Sequence, residues 1–246
     1  MTAYEKVQKA RSKGRFTSAD FIDTVFTDFT EMHGDRRFGD DKAIMAGVAM
    51  LGDMPVTVIA IEKGRDVKEK ARRNFGSAHP EGYRKALRQM KLAEKFRRPV
   101  ICLIDTSGAY PGIEAEERGQ AQAIAENLYE MMTLKTPIIS IIIGEGGSGG
   151  ALALAVADEI WMLENSVFSV ISPEGCASIL WKDAGKVKEA CGCLKLTAQD
   201  LKRLGVIEKV IPEDRAMFKN LKSGLLATMT KNSALKTDEL LENRYH

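Results

Sequence analysis

The chain has 246 residues, and its 36 lysines and arginines nearly balance its 34 aspartates and glutamates, which gives a formal net charge of +2. This balance excludes a histone-like polycation, and 44% hydrophobic with 28% charged residues exclude a disordered chain. No apolar run approaches the ~18 residues of a membrane helix, and the polar start lacks the apolar segment of a signal peptide. We therefore expect a globular protein of the cytoplasm.

The net charge hides a basic stretch from Lys63 to Arg98, which holds 13 basic and 4 acidic residues and so carries +9, against −7 for the rest of the chain. Such a local excess attracts an anionic partner, either a nucleic acid or a charged substrate. The stretch offers few aromatic residues on which bases would stack, namely Phe75, Tyr83 and Phe96. Nucleic-acid binding is therefore expected only as a secondary property.

The first third of the chain is predicted to contain two helices and a hairpin. Residues 1–17 are polar, and we expect them to attach loosely. The apolar spacing over 18–30, with a serine at its start, predicts a capped helix. Two strands are predicted over 43–51 and 55–62, joined by a short turn. The second half of the basic stretch, from Pro80, predicts another helix.

Beyond the basic stretch, unbroken apolar segments alternate with glycine-bearing loops and helical segments. Such segments are typical of parallel strands buried on both faces, so we predict an α/β fold. Strands are predicted over 99–104, 137–143, 159–163, 167–171 and 206–211, and helices over 114–134 and 151–157. The C-terminal part is predicted to be an amphipathic helix whose apolar face packs on a partner or on the chain's own core; this face contains Met217, Leu221, Leu225 and Met229. No linker interrupts 18–246, which we expect to form a single domain.

The sharpest feature is the segment Gly144-Glu-Gly-Gly-Ser-Gly-Gly150, between a predicted strand and a predicted helix. Glycines let backbone N–H groups approach a ligand closely, and the first N–H groups of a helix have no intrahelical partner. A strand–glycine–helix junction is therefore suited to bind an anion or a developing oxyanion. The simplest alternative is a tight turn that packs the strand against the helix.

Two enzyme classes also match this segment. The G-x-G-x-x-G spacing from Gly144, with Glu164 at the expected distance, fits a dinucleotide-binding loop, although such a loop normally opens the first βαβ unit of its domain. The G-x-S-x-G spacing around Ser148 fits the nucleophile elbow of a serine hydrolase. A hydrolase needs a histidine base, and only His246 follows that serine.

A third interpretation is an oxyanion hole built from backbone groups alone. The loop after the preceding strand, Asp105–Gly112, also contains a glycine followed by a small residue, Gly108-Ala109. Because neighbouring parallel strands end at the same edge of a sheet, both sets of N–H groups would flank one cleft. This interpretation accounts for two glycine-bearing loops, which the other two do not.

Several longer motifs carry a family resemblance, in the order Arg73-Asn-Phe-Gly…His79-Pro-Glu-Gly-Tyr-Arg-Lys-Ala-Leu, Gly108-Ala-Tyr-Pro-Gly…Ala-Glu-Glu-Arg-Gly119, Ile143-Gly-Glu-Gly-Gly-Ser-Gly-Gly-Ala151 and Ser172-Pro-Glu-Gly-Cys-Ala-Ser-Ile-Leu-Trp-Lys182. Together they closely resemble the carboxyltransferase alpha subunits of bacterial acetyl-coenzyme A carboxylases. The resemblance extends from about His33 through Ile211-Pro-Glu. The N-terminal segment is shorter than in many family members.

The resemblance implies a crotonase-like (ClpP/crotonase) superhelix of ββα repeats with peripheral helices. It implies transfer of a carboxyl group from carboxybiotin, carried on biotin carboxyl carrier protein, to acetyl-coenzyme A, which gives malonyl-coenzyme A for fatty acid synthesis. The expected partners are a beta subunit in an α2β2 assembly, the carrier protein and biotin carboxylase. No metal is expected in this chain, because its cysteines lack zinc-site spacing and the family's zinc module belongs to the beta subunit.

The resemblance also assigns roles to individual residues. The backbone of Gly146 and Gly147 is expected to bind the biotin ureido carbonyl, and Gly108 and Ala109 are expected to support it. Four further residues are expected to bind substrate, namely Tyr110, Ser148, Arg73 and Arg84.

Overall fold

The computed structural model describes residues 1–245 as a mixture of strands and helices. Its strands are β1 (Thr27–Glu31), β2 (Ile44–Leu51), β3 (Met54–Ile61), β4 (Val100–Thr106), β5 (Ile138–Gly147), β6 (Glu159–Leu163), β7 (Val167–Ser169) and β8 (Lys209–Ile211). Its α-helices are α1 (Ala3–Ala10), α2 (Ser18–Val25), α3 (Val67–Arg72), α4 (Pro80–Lys95), α5 (Ile113–Glu117), α6 (Gln120–Thr133), α7 (Ser148–Leu152), α8 (Pro173–Trp181), α9 (Val187–Leu194), α10 (Ala198–Arg203), α11 (Met217–Ser233) and α12 (Thr237–Tyr245). Over this range no helix is both long and apolar enough to cross a membrane.

The strands form one sheet in the order β1-β2-β3-β4-β5-β6-β8, and β7 pairs with the end of β5. β1, β2 and β3 are antiparallel, and Leu51 faces Met54 across a two-residue turn. From β3 onward each pair of neighbouring strands is parallel. The predicted hairpin and the predicted parallel sheet are confirmed.

Both faces of the sheet are buried. Cys102 and Ile104 of β4 belong to one apolar core, which α4 and α6 cover. Ile101 and Leu103 of the same strand belong to a second core, which α2 and α11 cover. Because successive side chains of a strand point to opposite faces, an unbroken apolar strand feeds both cores at once.

The apolar face of the C-terminal helix packs on the chain's own core. The four residues of that face are at most 4% exposed, and they lie in the second core beside the sheet; they are Met217, Leu221, Leu225 and Met229. Of the two alternatives left open by the sequence, the structure therefore favours intramolecular packing over a partner subunit.

The region after residue 17 differs from its prediction. Thr17 is the N-cap residue of α2, and its backbone N–H donates to Asp20 Oδ2 at 2.7 Å, so Ser18 lies inside the helix. The predicted helix over 18–30 is wrong beyond Val25, because the next residues form β1 on the free edge of β2. Backbone partners on another strand outweigh an apolar helical spacing, and no local pattern reveals them.

Three further elements differ from their predicted bounds. The predicted helix over 114–134 is two helices, α5 and α6, separated at Gly119, whose φ of +80° a regular helix does not allow. The strand predicted over 137–143 continues to Gly147, because the end of β5 pairs with both β4 and β7. The helix predicted over 151–157 is the short α7, which ends at Leu152.

The N-terminal segment is firmly attached, contrary to the prediction. Val7 and Ala10 of α1 are buried in a small apolar cluster with Val167 and Leu196. Lys6 Nζ donates to the Glu164 carbonyl at 2.8 Å. The prediction was wrong because it rested on the polar composition of the segment, whereas the segment forms a helix with one buried apolar face.

Candidate active site at two glycine-bearing segments

The candidate site lies where β4 and β5 end at one edge of the sheet. We define the first glycine loop as residues 105–112 and the second glycine segment as residues 144–150. The two strands are parallel, and Thr106 faces Gly146 in their register. The prediction that the two segments meet at the same edge is confirmed.

Glycines are required where these two segments touch. A Cβ atom on Gly147 would overlap with the carbonyl of Ser107, and one on Gly150 would lie 2.5 Å from the backbone nitrogen of Ala109. Real Cβ atoms do not come so close to backbone atoms. The two segments therefore form one continuous surface of backbone groups, as the oxyanion-hole interpretation requires.

Gly146 and Gly147 form the end of a strand rather than a loop. Gly146 faces Phe168 and Gly147 faces Ser169 in the parallel pairing of β5 with β7. Gly146 is buried, Gly147 is half-buried, and a Cβ atom on Gly146 would lie 2.8 Å from the Phe168 ring. The backbone of this pair is therefore held by neighbouring strands on both sides.

Backbone donors beside this contact have no side-chain, loop or turn acceptor within residues 1–245. They include the N–H groups of Ala109 in the first loop and of Ser148 and Gly149 at the start of α7. The N–H of Gly108, by contrast, donates to Thr106 Oγ1 at 3.1 Å. The first N–H groups of any helix lack an internal acceptor, which explains the donors of α7. These groups are available to an oxyanion at the junction.

The space above the first glycine loop is open. Gly108 has a φ of +153°, which L residues rarely adopt, and no heavy atom lies within 4 Å of the position of a Cβ there. Tyr110 follows, and its ring stacks on His79 with 4.0 Å between ring centroids. An opening bordered by glycine and aromatic rings can accept a flat amide-like or ureido group.

The geometry around Ser148 resembles a nucleophile elbow without its base. Ser148 has a φ of +48° and is exposed at the turn from strand to helix. Across residues 1–245 its hydroxyl makes no hydrogen bond to a histidine, since His79 Nδ1 contacts Asn74 and His33 Nδ1 contacts Asp40. His246 lies outside the described residues. A serine-hydrolase mechanism therefore finds no support here.

The dinucleotide interpretation is also weakened, because the first glycine of its pattern is needed to make room for the side chain of a neighbouring residue. A Cβ atom on Gly144 would lie 2.7 Å from Asp105 Oδ2, so the glycine makes room for that carboxylate. Glu164, the expected ribose ligand, lies 3.9 Å from Lys6 Nζ in an ion pair. The G-x-G-x-x-G spacing thus reflects close packing rather than a pyrophosphate site.

A half-buried ion-pair network borders the glycine segments. Lys63 Nζ lies 2.7 Å from Asp105 Oδ1 and 2.9 Å from Glu145 Oε2. Arg11 Nε lies 2.7 Å from the other oxygen of Glu145. Burial alone would raise the pKa of the Glu145 carboxyl, but the Lys63 and Arg11 cations outweigh it and hold that pKa below its ordinary value. The carboxylate is therefore ionised beside the candidate site.

A cleft of about 750 Å³ opens next to this network, between the N-terminal segment, the loop after β3 and the ends of β4 and β5. Ser107 and Glu145 line it, so the cleft reaches both glycine segments. Sequence reasoning missed Lys63, Asp105 and Glu145 as members of the site. The sequence did contain a signal for them, since each of these charged residues lies at the carboxyl end of one of three neighbouring parallel strands. Open α/β sheets bind their ligands at this end of the strands.

The two arginines predicted to bind substrate already have protein partners. Arg73 Nη1 donates to the Lys42 carbonyl at 2.8 Å. Arg84 Nε lies 2.9 Å from Asp35 Oδ2, on a second cleft between α4, α6 and the loop before β2. Neither arginine lines the cleft that reaches the glycine segments, so their role in substrate binding stays a prediction.

The basic stretch does not form one surface. Lys63 pairs inward, and Lys85 is buried with its Nζ 2.6 Å from Asp40 Oδ1. Arg88 and Lys91 line the second cleft together with Glu126 and Glu130, so the charge is divided between two places. A continuous basic track for nucleic acid finds no support in this arrangement.

Comparison with known proteins gives a consistent result. The sequence model of the family described as "Acetyl co-enzyme A carboxylase carboxyltransferase-like" matches residues 1–246. An acetyl-coenzyme A carboxylase carboxyl transferase subunit alpha from Ruminiclostridium cellulolyticum is 66% identical, with 100% of this chain and 96% of that protein covered. The protein of the same description from Bacillus cytotoxicus is 58% identical, with 100% of this chain and 78% of that protein covered.

Solved structures agree on the fold. A transcarboxylase 12S with methylmalonyl-coenzyme A and methylmalonic acid bound superposes with a TM-score of 0.74 at 19% identity, covering 90% of this chain and 42% of the other. A Pseudomonas malonate decarboxylase hetero-tetramer in complex with coenzyme A superposes with a TM-score of 0.68 at 18% identity, covering 85% and 86%. The predicted crotonase-like fold is confirmed. By its sequence, the chain belongs to the family of acetyl-coenzyme A carboxylase carboxyl transferase alpha subunits.

Proposed function

We propose that this chain, together with a carboxyltransferase beta subunit, transfers the carboxyl group of carboxybiotin to acetyl-coenzyme A and so forms malonyl-coenzyme A. The observation that carries the proposal is the contact of two glycine-bearing segments at one edge of the sheet, with unpartnered N–H groups beside it. Family membership supplies the reaction type, and a cytoplasmic location goes with it.

In this proposal the backbone provides the catalysis. The segment around Gly146 and Gly147 would hold the ureido oxygen of biotin, supported by Gly108 and Ala109. Backbone donors that are already oriented stabilise a developing negative charge without reorganising, and the loss of one such donor typically costs ~3–4 kcal/mol. Tyr110 and Ser148 would border the bound group, since both flank these glycines in the chain.

Carboxybiotin on its carrier protein would supply both the carboxyl group and, after releasing it, a nitrogen base for the methyl proton of acetyl-coenzyme A. The residues of this chain then have to bind, orient and exclude water, but they need not act as a base. A mechanism without a protein base agrees with the arrangement of the histidines, since His79 stacks on Tyr110 and no histidine of residues 1–245 bonds to Ser148. The open space above Gly108 fits a planar ureido group.

The beta subunit would complete the site. The relatives are named subunit alpha, and several large apolar side chains are exposed on and just before α8, which follows the strand paired with the glycines; they are Val170, Ile179, Leu180 and Trp181. Apolar patches of this kind mark interaction surfaces. Biotin carboxyl carrier protein would deliver the carboxylated biotin, and biotin carboxylase would regenerate it.

The test is a reconstitution. The chain is co-expressed with a beta subunit of the same family, and malonyl-coenzyme A is measured after addition of carboxybiotin and acetyl-coenzyme A. Propionyl-coenzyme A in a parallel reaction reports the acyl preference. We expect the complex to be active and either subunit alone to be inactive; an inactive complex that assembles normally would refute the proposal.

A further inference from the structure

An ion-pair network fixes the residue that directly precedes the glycine pair. Both carboxylate oxygens of Glu145 are engaged, Oε1 by Arg11 Nε at 2.7 Å and Oε2 by Lys63 Nζ at 2.9 Å. The backbone N–H of Glu145 donates to Asp105 Oδ1 at 2.8 Å. Side chain and backbone of this residue are therefore held at the same time, one peptide unit before Gly146.

Asp105 links the two glycine segments to each other. It is the first residue of the first glycine loop, and its Oδ1 receives Lys63 Nζ at 2.7 Å as well as the Glu145 N–H. Gly144 leaves room for this carboxylate, and a Cβ atom on Gly76 would lie 2.7 Å from Lys63 Cγ. Gly76 and Gly144 lie outside the proposed oxyanion hole, and the absence of their Cβ atoms thus leaves room for the Lys63–Asp105 pair.

The N-terminal segment reaches this network from the other side. Arg15 Nη2 donates to the Ile143 carbonyl at 2.8 Å, and Arg11 forms an ion pair with Glu145. The N-terminal segment therefore contacts β5 on both sides of Gly144. Arg11 Nη1 also lies 2.7 Å from Glu174 Oε1 in the first turn of α8. One guanidinium therefore connects the strand that carries the glycine pair with the helix that carries the exposed apolar patch.

The charges explain why both cations are needed. Glu145 and Asp105 bring two negative charges to the edge of a site where negative charge would develop on a ligand. Lys63 and Arg11 neutralise them, and the side chains of Lys63, Asp105 and Glu145 are at most 18% exposed. Weak screening makes each of these interactions stronger than a surface pair. Removal of one cation would leave excess negative charge beside the developing anion and would release one of the two contacts that hold the Glu145 carboxylate.

We propose that Arg11, Lys63 and Asp105 are positioning residues for carboxyl transfer, because they hold Glu145 and thereby the backbone N–H groups that follow it. This inference rests on the proposed function. Under it, the N-terminal segment is part of the active-site architecture, although it contributes no group that contacts the reacting atoms.

The test compares three variants in the complex with the beta subunit. Arg11→Met should lower kcat on the order of 100-fold with KM changed less than about threefold, because the displaced donors act mainly on the transition state. Arg11→Lys should restore part of the loss, since a single cation still reaches Glu145. Arg203→Met is the matched control: Arg203 pairs with Asp200 at 2.6 Å, and it neither lines the cleft nor contacts the network.

Hydrogen exchange gives a readout that needs no activity. Amides of the peptide 143–152 should exchange faster in Arg11→Met than in the wild type or in Arg203→Met. Wild-type kcat in Arg11→Met with unchanged exchange, or an equal kcat loss in Arg203→Met, would overturn the inference. Failure of the proposed function would instead appear as an inactive wild-type complex, and the exchange measurement then decides the positioning role by itself.

Discussion

Gly147 illustrates how a single missing Cβ atom defines the site. An alanine there would overlap with the Ser107 carbonyl, so the two glycine-bearing segments would have to separate. We expect Gly147→Ala to lower carboxyl transfer by on the order of 100-fold, as the loss of one oriented donor does, and to destabilise the fold by ~1–3 kcal/mol. Activity of the reconstituted complex and urea unfolding measure the two effects.

The control for this variant is Gly192→Ala. Gly192 lies within α9, and no heavy atom is within 4 Å of its Cβ position. Alanine should stabilise the helix there by ~0.5–1 kcal/mol and leave carboxyl transfer unchanged. If Gly147→Ala behaved like Gly192→Ala in both measurements, the close contact of the two segments would have no functional meaning.

Asp35 makes stability depend on pH. Burial acts to raise its pKa, but hydrogen bonds from the backbone N–H groups of Arg37, Phe38 and Gly39 and from Arg84 outweigh burial and lower it to about 2. Because the folded pKa lies below the unfolded one, the stabilisation is complete above about pH 4 and disappears as pH falls through 2. Asp35→Asn should therefore cost ~2 kcal/mol at pH 7 and very little once the pH is below 2.

Denaturant unfolding of the wild type and of Asp35→Asn at several pH values checks this prediction. The difference in the free energy of unfolding should shrink toward low pH. A difference that stays constant with pH would mean that the asparagine acts through packing and not through the lost charge.

At the scale of elements, the last helix depends on one buried arginine. The side chain of Arg244 in α12 is 0% exposed and lies 2.8 Å from Asp158 Oδ1. It also donates to three backbone carbonyls, that of Met131 in the last turn of α6 and those of Leu134 and Thr136 between α6 and β5. The guanidinium thereby provides hydrogen-bond donors to the carbonyls at the end of α6, and it links α12 to the residues that lead into the sheet.

We expect Arg244→Ala to destabilise the chain by ~3–5 kcal/mol, because it leaves the buried Asp158 carboxylate without its cation and three carbonyls without the donor that Arg244 provides. Arg203→Ala removes an arginine that is 70% exposed and, within residues 1–245, pairs with Asp200 alone, and it should cost less than ~1 kcal/mol. Thermal unfolding of both variants gives the comparison, and equal shifts in Tm would contradict this role of Arg244.

At the scale of the whole molecule, the exposed apolar patch on α8 should govern assembly. Ile179 is 68% and Leu180 is 65% exposed, unlike the apolar face of α11, which is buried. We expect Leu180→Asp to weaken binding of the beta subunit by at least about tenfold, because a charge enters an apolar interface. Tyr129→Asp, at an exposed position on α6, is the control, and analytical ultracentrifugation measures both. Equal affinity of Leu180→Asp and the wild type would place the interface elsewhere.

The overall fold and the glycine segments could be predicted from the sequence because their signals are local. An apolar strand such as residues 100–104 must be buried on both faces, and alternation with helices then requires a parallel sheet. Neighbouring strands of such a sheet end together, which brought residues 105–112 and 144–150 to one edge. The long motifs added the family, which the relatives confirm.

Only the tertiary structure decided what each charged residue contacts. Lys63, Asp105, Glu145 and Arg11 are far apart in the chain, and the first of them counted merely as one of the 13 basic residues of a patch. Charge is a property of a residue, but an ion pair is a property of two positions in space, and burial decides its strength. The sequence thus determined the sheet, its glycine-bearing edge and the family. Only the tertiary structure decided which charged side chains pair with one another and hold that edge in place.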